Sequence, residues 1–97
     1  MDEHVKSATA IERRFHGSVI LMVLHLRRIA HSNDLEAGFA AARKLYSFSP
    51  ENEQFVRSCI ALDERFTAGE SISEMVDDAT IARLQDCARK INSADPA

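Results

Sequence analysis

FHGSVILMVLHLRR, residues 15–28, contains the longest apolar run of the chain, the six residues 19–24. His25 ends this run, and arginine pairs stand on both sides of it at 13–14 and 27–28. A helix that spans a membrane needs about 20 consecutive apolar residues. The run is too short for that purpose, so the stretch is predicted to be part of a helix in a soluble protein with no membrane span.

Apolar residues on both sides of this stretch recur in steps of three and four. The series is Ile11, Phe15, Val19, Met22, Leu26 and Ile29. This spacing places them on one face of an α-helix, which we expect over about residues 6–31. At 1.5 Å per residue such a helix is about 39 Å long, so it is predicted to be the central element that the rest of the chain packs against.

Helix-start signals divide the next part of the chain. Asn33 followed by Glu36 resembles a capping box and predicts a second helix over about 34–47, in which many residues are small. Ser49 and Pro50 form an N-terminal signal for a third helix over about 50–67, which Gly69 would end. Small residues permit close helix packing, so the second helix is expected to lie tightly against its neighbours.

Two apolar stripes follow, and they do not share one helical face. Ser71 and Glu74 resemble another capping box. The stripe that starts at Ile72 and the stripe that starts at Ile81 differ by about 150° on a straight helix. We therefore predict a break at residues 77–78, with helices over about 72–77 and 79–92, and the alternative is one straight helix between two packing surfaces.

Short connections between these segments predict an all-α fold, a compact antiparallel bundle of four to five helices. Its helices are expected over about 6–31, 34–47, 50–67, 72–77 and 79–92. The 97 residues form one domain, with 45% hydrophobic and 28% charged residues. Residues 93–97 are expected to be a frayed tail.

The charge of the chain limits the kinds of partner. Its net charge is −3. Residues 1–48 carry 7 Lys or Arg against 5 Asp or Glu, and residues 49–97 carry 5 against 10. This balance argues against a general nucleic-acid binder or a protein that binds anionic membranes. Cys59 and Cys87 show no metal-binding spacing, and we expect two reduced, buried thiols in a cytoplasmic protein, although a disulfide between them stays open.

Metal, cofactor and catalytic patterns are missing from the sequence. On one helix, His16, His25 and His31 point in three different directions, so they do not converge on one metal ion. Glu12 and His16 are four residues apart and are expected to form a surface pair. No nucleophile elbow, phosphate loop or dinucleotide fingerprint occurs. We therefore expect no metal, no cofactor and no catalytic residue.

The long helix has a second apolar patch, roughly opposite its main stripe. The patch consists of Gly17, Ile20, Leu21 and Leu24, and Arg13, Arg14, Arg27 and Arg28 lie above and below it. In one interpretation, the other helices of the bundle cover this patch. In the other, the patch stays exposed and binds a protein partner or a second copy, with Gly17 permitting close approach and the arginines steering an acidic surface.

These observations favour a non-enzymatic module for protein–protein interaction or self-association. The expected partner-binding residues are the four patch residues and the four arginines around them. The alternative is a small all-helical enzyme or ligand-binding bundle that holds an anion with the same arginines. The sequence does not identify the partner or the pathway.

Overall fold

The computed structural model describes residues 8–92 and contains four helices in that range. In chain order, α1 spans Ala10–Ala30, α2 Leu35–Tyr46, α3 Pro50–Thr67 and α4 Asp78–Ile91. Residues 8–92 include no strand. The predicted all-α bundle is confirmed, whereas the predicted tail at 93–97 and the first seven residues lie outside the described part of the chain.

α1 begins at a capping box that was not predicted from the sequence. The Thr9 hydroxyl accepts a hydrogen bond from the Glu12 amide (3.2 Å), and the Glu12 carboxylate accepts one from the Thr9 amide (2.9 Å). Because this pair satisfies two of the free amides at a helix start, α1 begins at Ala10 and not near residue 6. It ends at His31, whose left-handed backbone (φ 52°) turns the chain toward α2.

The main stripe of α1 forms the centre of the core, as predicted. Phe15, Val19, Met22, Leu26 and Ile29 are all buried. α1 packs against each of the other three helices, most extensively against α2 and α4. The other helices therefore share the surface of α1, which is the central element of the bundle.

Contacts at the two ends of α1 give the directions of its neighbours. Arg14 forms an ion pair with Asp78 at the start of α4, and Arg28 donates to the carbonyl of Ile91 at its end. α4 therefore runs in the same direction as α1. α3 runs in the opposite direction, because its last turns reach His16 in the first half of α1.

α2 lies close against α1 at a glycine. A Cβ atom built on Gly38 would stand 2.9 Å from both the Cβ and the carbonyl oxygen of Leu26. This close approach confirms the tight packing expected from the small residues of α2. The residue that caps α2 is Asp34, whose side chain accepts from the Glu36 amide (3.1 Å), and not the predicted Asn33.

Residues 68–77 connect α3 to α4 and differ from the prediction. The short helix expected over 72–77 is replaced by a turn at 73–75, in which the Met75 amide donates to the Ile72 carbonyl (2.9 Å). Ser71 caps no helix, because its hydroxyl donates to Glu12 (3.3 Å). The predicted break is confirmed, since Asp77 caps α4 by accepting from the Thr80 amide (2.8 Å).

Candidate functional site

The second apolar patch of α1 lies on the surface. Ile20, Leu21 and Leu24 expose 45%, 48% and 53% of their surface, and nothing lies within 4 Å of a Cβ built on Gly17. We call these four residues the α1 face. The other helices pack on the opposite side of α1, so the interpretation in which they cover this patch is wrong. The residues of the patch lie together, as the helical spacing predicted.

A groove with a basic lining runs along one side of the α1 face, between α1 and α4. Its volume is about 580 Å³. The lining residues are Arg13, Arg14, Gly17, Ser18, Leu21 and His25 from α1, and Gln85, Ala88, Arg89 and Asn92 from the second half of α4 and its C-cap. We call it the α1/α4 groove. It brings arginines that are 75 residues apart in the sequence to the same cleft.

The four predicted rim arginines divide into separate places. Arg13 and Arg14 line the α1/α4 groove, and there Arg13 donates to the Ala8 carbonyl (2.6 Å) and Arg14 pairs with Asp78 (2.9 Å). Arg28 binds the Ile91 carbonyl (3.0 Å), so its guanidinium stabilises the last turn of α4. Arg27 lies on the other side of the α1 face. The arginines therefore do not form one continuous rim.

A second groove, of about 400 Å³, runs along that other side, between α1 and α3. It is lined by Val19, Ile20, Val23, Leu24, Arg27, Leu35, Ile60, Asp63 and Glu64. We call it the α1/α3 groove. Its apolar wall is continuous with the α1 face, and its acidic residues come from α3. The α1 face is thus a ridge between a groove with a basic lining and a groove with an acidic edge.

His16 and Asp63 form a pair that was not predicted from the sequence. Nδ1 of His16 lies 2.9 Å from an Asp63 carboxylate oxygen, and the imidazole packs on the Phe66 ring at 5.5 Å. Burial raises the pKa of Asp63, and the hydrogen bond to His16 offsets part of this increase. The expected surface pair between Glu12 and His16 is wrong, because α3 provides His16 with a partner 47 residues away.

Glu12 has a structural role at the start of α1. Its side chain is buried, and its carboxylate accepts from the Thr9 amide and from the Ile72 amide (2.7 Å). Burial by itself would raise the pKa of Glu12, but the hydrogen bonds from Thr9, Ile72 and Ser71 lower it below its usual value. Glu12 therefore ties the 68–77 connection to α1.

The described part of the chain contains neither a reactive thiol nor a cluster of metal-binding side chains. Cys59 and Cys87 are free and buried, and burial raises the pKa of Cys59 to about 11. A thiol with such a pKa is a poor nucleophile at neutral pH. Within residues 8–92, no three His, Cys, Asp or Glu side chains lie close enough together to hold a metal ion. None of the four helices is long and apolar enough to cross a bilayer.

Comparison with protein-family models, curated proteins and solved structures finds no match for this chain. Its most distinctive feature is the α1 face between its two grooves. The other large apolar side chains exposed in residues 8–92 are Leu45 and Met75, which lie on α2 and in the 68–77 connection.

Proposed function

We propose that this protein acts as a self-association module in which the α1 face binds the α1 face of a second copy. The observation that carries the proposal is the exposure of Ile20, Leu21 and Leu24, each close to half, on one arc of the central helix. Each full side chain of this kind is worth about 1.5–3 kcal/mol when buried. Covering the exposed halves in two protomers contributes several kcal/mol, which offsets part of the cost of association.

The middle of the face is shaped for close contact. Gly17 has no atom near its Cβ position, so the backbone of α1 is accessible there. A glycine inside a helix costs about 1 kcal/mol relative to alanine. Its presence beside three large apolar residues is explained if another backbone approaches α1 at this point.

Charge complementarity supports a second copy as the partner. The α4 side of the face carries Arg14 and Arg89, and the α3 side carries two acids, Asp63 and Glu64, against one arginine, Arg27. Asp63 is already bound to His16, so Glu64 is the more available acid. Each protomer offers the basic surface and the acidic surface that the other one needs. Leu24 and Gly17 would lie at the centre, where interfaces are most apolar.

Sedimentation equilibrium at several protein concentrations tests the proposal. We expect the wild-type protein to dimerise with increasing concentration, and Leu24→Arg to stay monomeric with an unchanged helical circular dichroism spectrum, because Leu24 is 53% exposed. Met75→Arg is the matched control, since Met75 is equally exposed (51%) but lies outside the face. A wild-type protein that is monomeric at every concentration contradicts the proposal, as does a Leu24→Arg variant that dimerises like wild type.

We also propose that the module works in the cytoplasm. Cys59 and Cys87 are both free thiols in the core. Proteins of oxidising compartments tend to pair their cysteines, whereas cytosolic proteins keep them reduced. The two thiols are the support for this location.

A further inference from the structure

The α1/α4 groove has the size and lining of a small-molecule site. Its volume of about 580 Å³ lies within the range of roughly 300–1,000 Å³ that is usual for ligand pockets. Gly17, Leu21 and Ala88 give it apolar walls, and the side-chain amides of Gln85 and Asn92 provide neutral hydrogen-bonding groups. Such a lining suits a ligand with an apolar body and a polar end.

Cationic groups from two helices line the two ends of this groove. Arg13 and Arg14 enter it from α1, and Arg89 enters it from α4. Because α1 and α4 run in the same direction, Arg14 lies beside Asp78 at the start of α4, and Arg89 lies near the end of α4. The whole chain has a net charge of −3, so this concentration of arginine is a local feature. Guanidinium groups bind carboxylates and phosphates through paired, parallel hydrogen bonds.

The present partners of these arginines are weak competitors for a ligand. Arg14 pairs with Asp78, but both side chains are more than half exposed. Arg89 pairs with Asp86 three residues earlier, also at the surface. Exposed ion pairs of this kind contribute about 0–1 kcal/mol. Either guanidinium can therefore exchange its carboxylate partner for a bound anion at little cost.

His25 adds a neutral polar group to the groove. Burial and the positive charge of Arg28 both lower the pKa of His25. The imidazole is therefore uncharged at neutral pH and offers one donor and one acceptor. The arginines supply the positive charge of the groove, and His25 supplies a hydrogen bond partway along it.

We propose that the α1/α4 groove binds a small organic anion, with its carboxylate or phosphate on Arg89 and its apolar part on Leu21 and Ala88. This binding activity is separate from self-association. The two overlap at Gly17 and Leu21, which also belong to the α1 face. Leu24 belongs to that face but does not line the groove.

An NMR titration with phenyl phosphate tests the proposal, with inorganic phosphate as the comparison. The Leu24→Gln variant is the background for every sample, because it removes an apolar contact of the α1 face without adding charge. We expect phenyl phosphate to shift the amide signals of residues that line the groove, and to bind more tightly than inorganic phosphate, which lacks an apolar part. Added to that background, Arg89→Gln is expected to weaken binding at least fivefold.

Arg65→Gln in the same background is the matched control. Arg65 is an exposed arginine that pairs with Glu70 (3.0 Å) and does not line the groove, so this change is expected to leave the affinity unchanged. Equal affinities for the Arg89→Gln and Arg65→Gln proteins would overturn the proposal. So would the lack of any shift at millimolar phenyl phosphate, or shifts spread over arginines throughout the surface.

Discussion

Two glycines in neighbouring helices show how one residue type has opposite consequences. Gly38 lies where α2 meets α1, and any Cβ there would be 2.9 Å from Leu26. Gly17 lies on the α1 face, with nothing within 4 Å of its Cβ position. The first glycine is required by packing within the protomer. The second has no such requirement, which is why it supports an intermolecular contact.

Alanine substitutions at these two positions should therefore change stability in opposite directions. Gly38→Ala is expected to lower the free energy of unfolding by about 1–3 kcal/mol, because the new methyl group overpacks against Leu26. Gly17→Ala is expected to raise it by up to about 1 kcal/mol through better helix propensity. Urea unfolding in the Leu24→Arg background measures both without a contribution from the dimer. A stable Gly38→Ala protein would mean that α2 shifts easily on α1.

At the scale of elements, the 68–77 connection depends on one buried carboxylate. Glu12 accepts hydrogen bonds from its own helix start and from the Ile72 amide (2.7 Å). The bond to Ile72 holds a segment without helical hydrogen bonds against the core, where Ile72 and Val76 are buried. The connection is thus fixed by a tertiary contact, which explains why it needs no helix of its own.

Replacing Glu12 should destabilise the protein in a pH-dependent manner. In Glu12→Gln one of the two acceptor oxygens becomes an NH₂ group, which would face one of the N–H groups that now donate, and we expect a loss of about 1.5–3 kcal/mol at pH 7. The pKa of Glu12 is below its ordinary value of 4.5 in the folded state. Its stabilising contribution is therefore complete above that ordinary value and disappears as the pH falls through the lower, folded-state pKa.

Urea unfolding of wild type and Glu12→Gln between pH 7 and pH 3 checks this prediction. The difference between the two proteins should be constant near neutral pH and become smaller below about pH 4.5. Glu74→Gln is a suitable control, since Glu74 is an exposed glutamate of the same connection. A difference that does not change with pH would show that Glu12 acts through packing alone.

At the scale of the whole molecule, the two sides of the α1 face determine the orientation of the proposed dimer. If the two-fold axis runs along α1, the helices are parallel, and the side with Arg14 and Arg89 faces the side with Glu64. If the axis crosses α1, the helices are antiparallel, and each side faces its own copy. Like charges facing one another are unfavourable, so we expect the parallel arrangement.

Cysteine cross-linking distinguishes the two orientations. In the parallel dimer, Gly17→Cys and Leu24→Cys should each form a disulfide dimer by itself, because equivalent residues face one another. In an antiparallel dimer position 17 faces position 24, so only a mixture of the two variants would cross-link efficiently. The native thiols do not interfere, since both are buried and burial raises the pKa of each. Met75→Cys is the exposed control, and non-reducing electrophoresis is the measurement.

A dimer without the expected cross-links would reject the orientation and leave self-association intact. A wild-type protein that sediments as a monomer at every concentration would reject the proposed function. The two failures are therefore separate outcomes.

The sequence by itself determined the helices and most of the core. Some signals act within one or two helical turns: the apolar periodicity of α1, the start signal at Ser49 and Pro50, and the cap at Asp77. For this reason α1, α3 and the start of α4 can be predicted from the sequence alone. The start of α2 was ambiguous because two neighbouring residues, Asn33 and Asp34, are both of a type that caps helices. Local signals failed at 72–77, because Glu12, 60 residues away, determines that conformation.

Only the tertiary structure decided which side of α1 is exposed and which residues accompany it. The helical spacing placed Gly17, Ile20, Leu21 and Leu24 together, but their burial depended on where three other helices pack. The same holds for Arg14 and Arg89, which line one groove, and for Asp63, which pairs with His16. These neighbours are set by the directions of α3 and α4, and long-range hydrogen bonds to Glu12 hold the connection between these two helices in place.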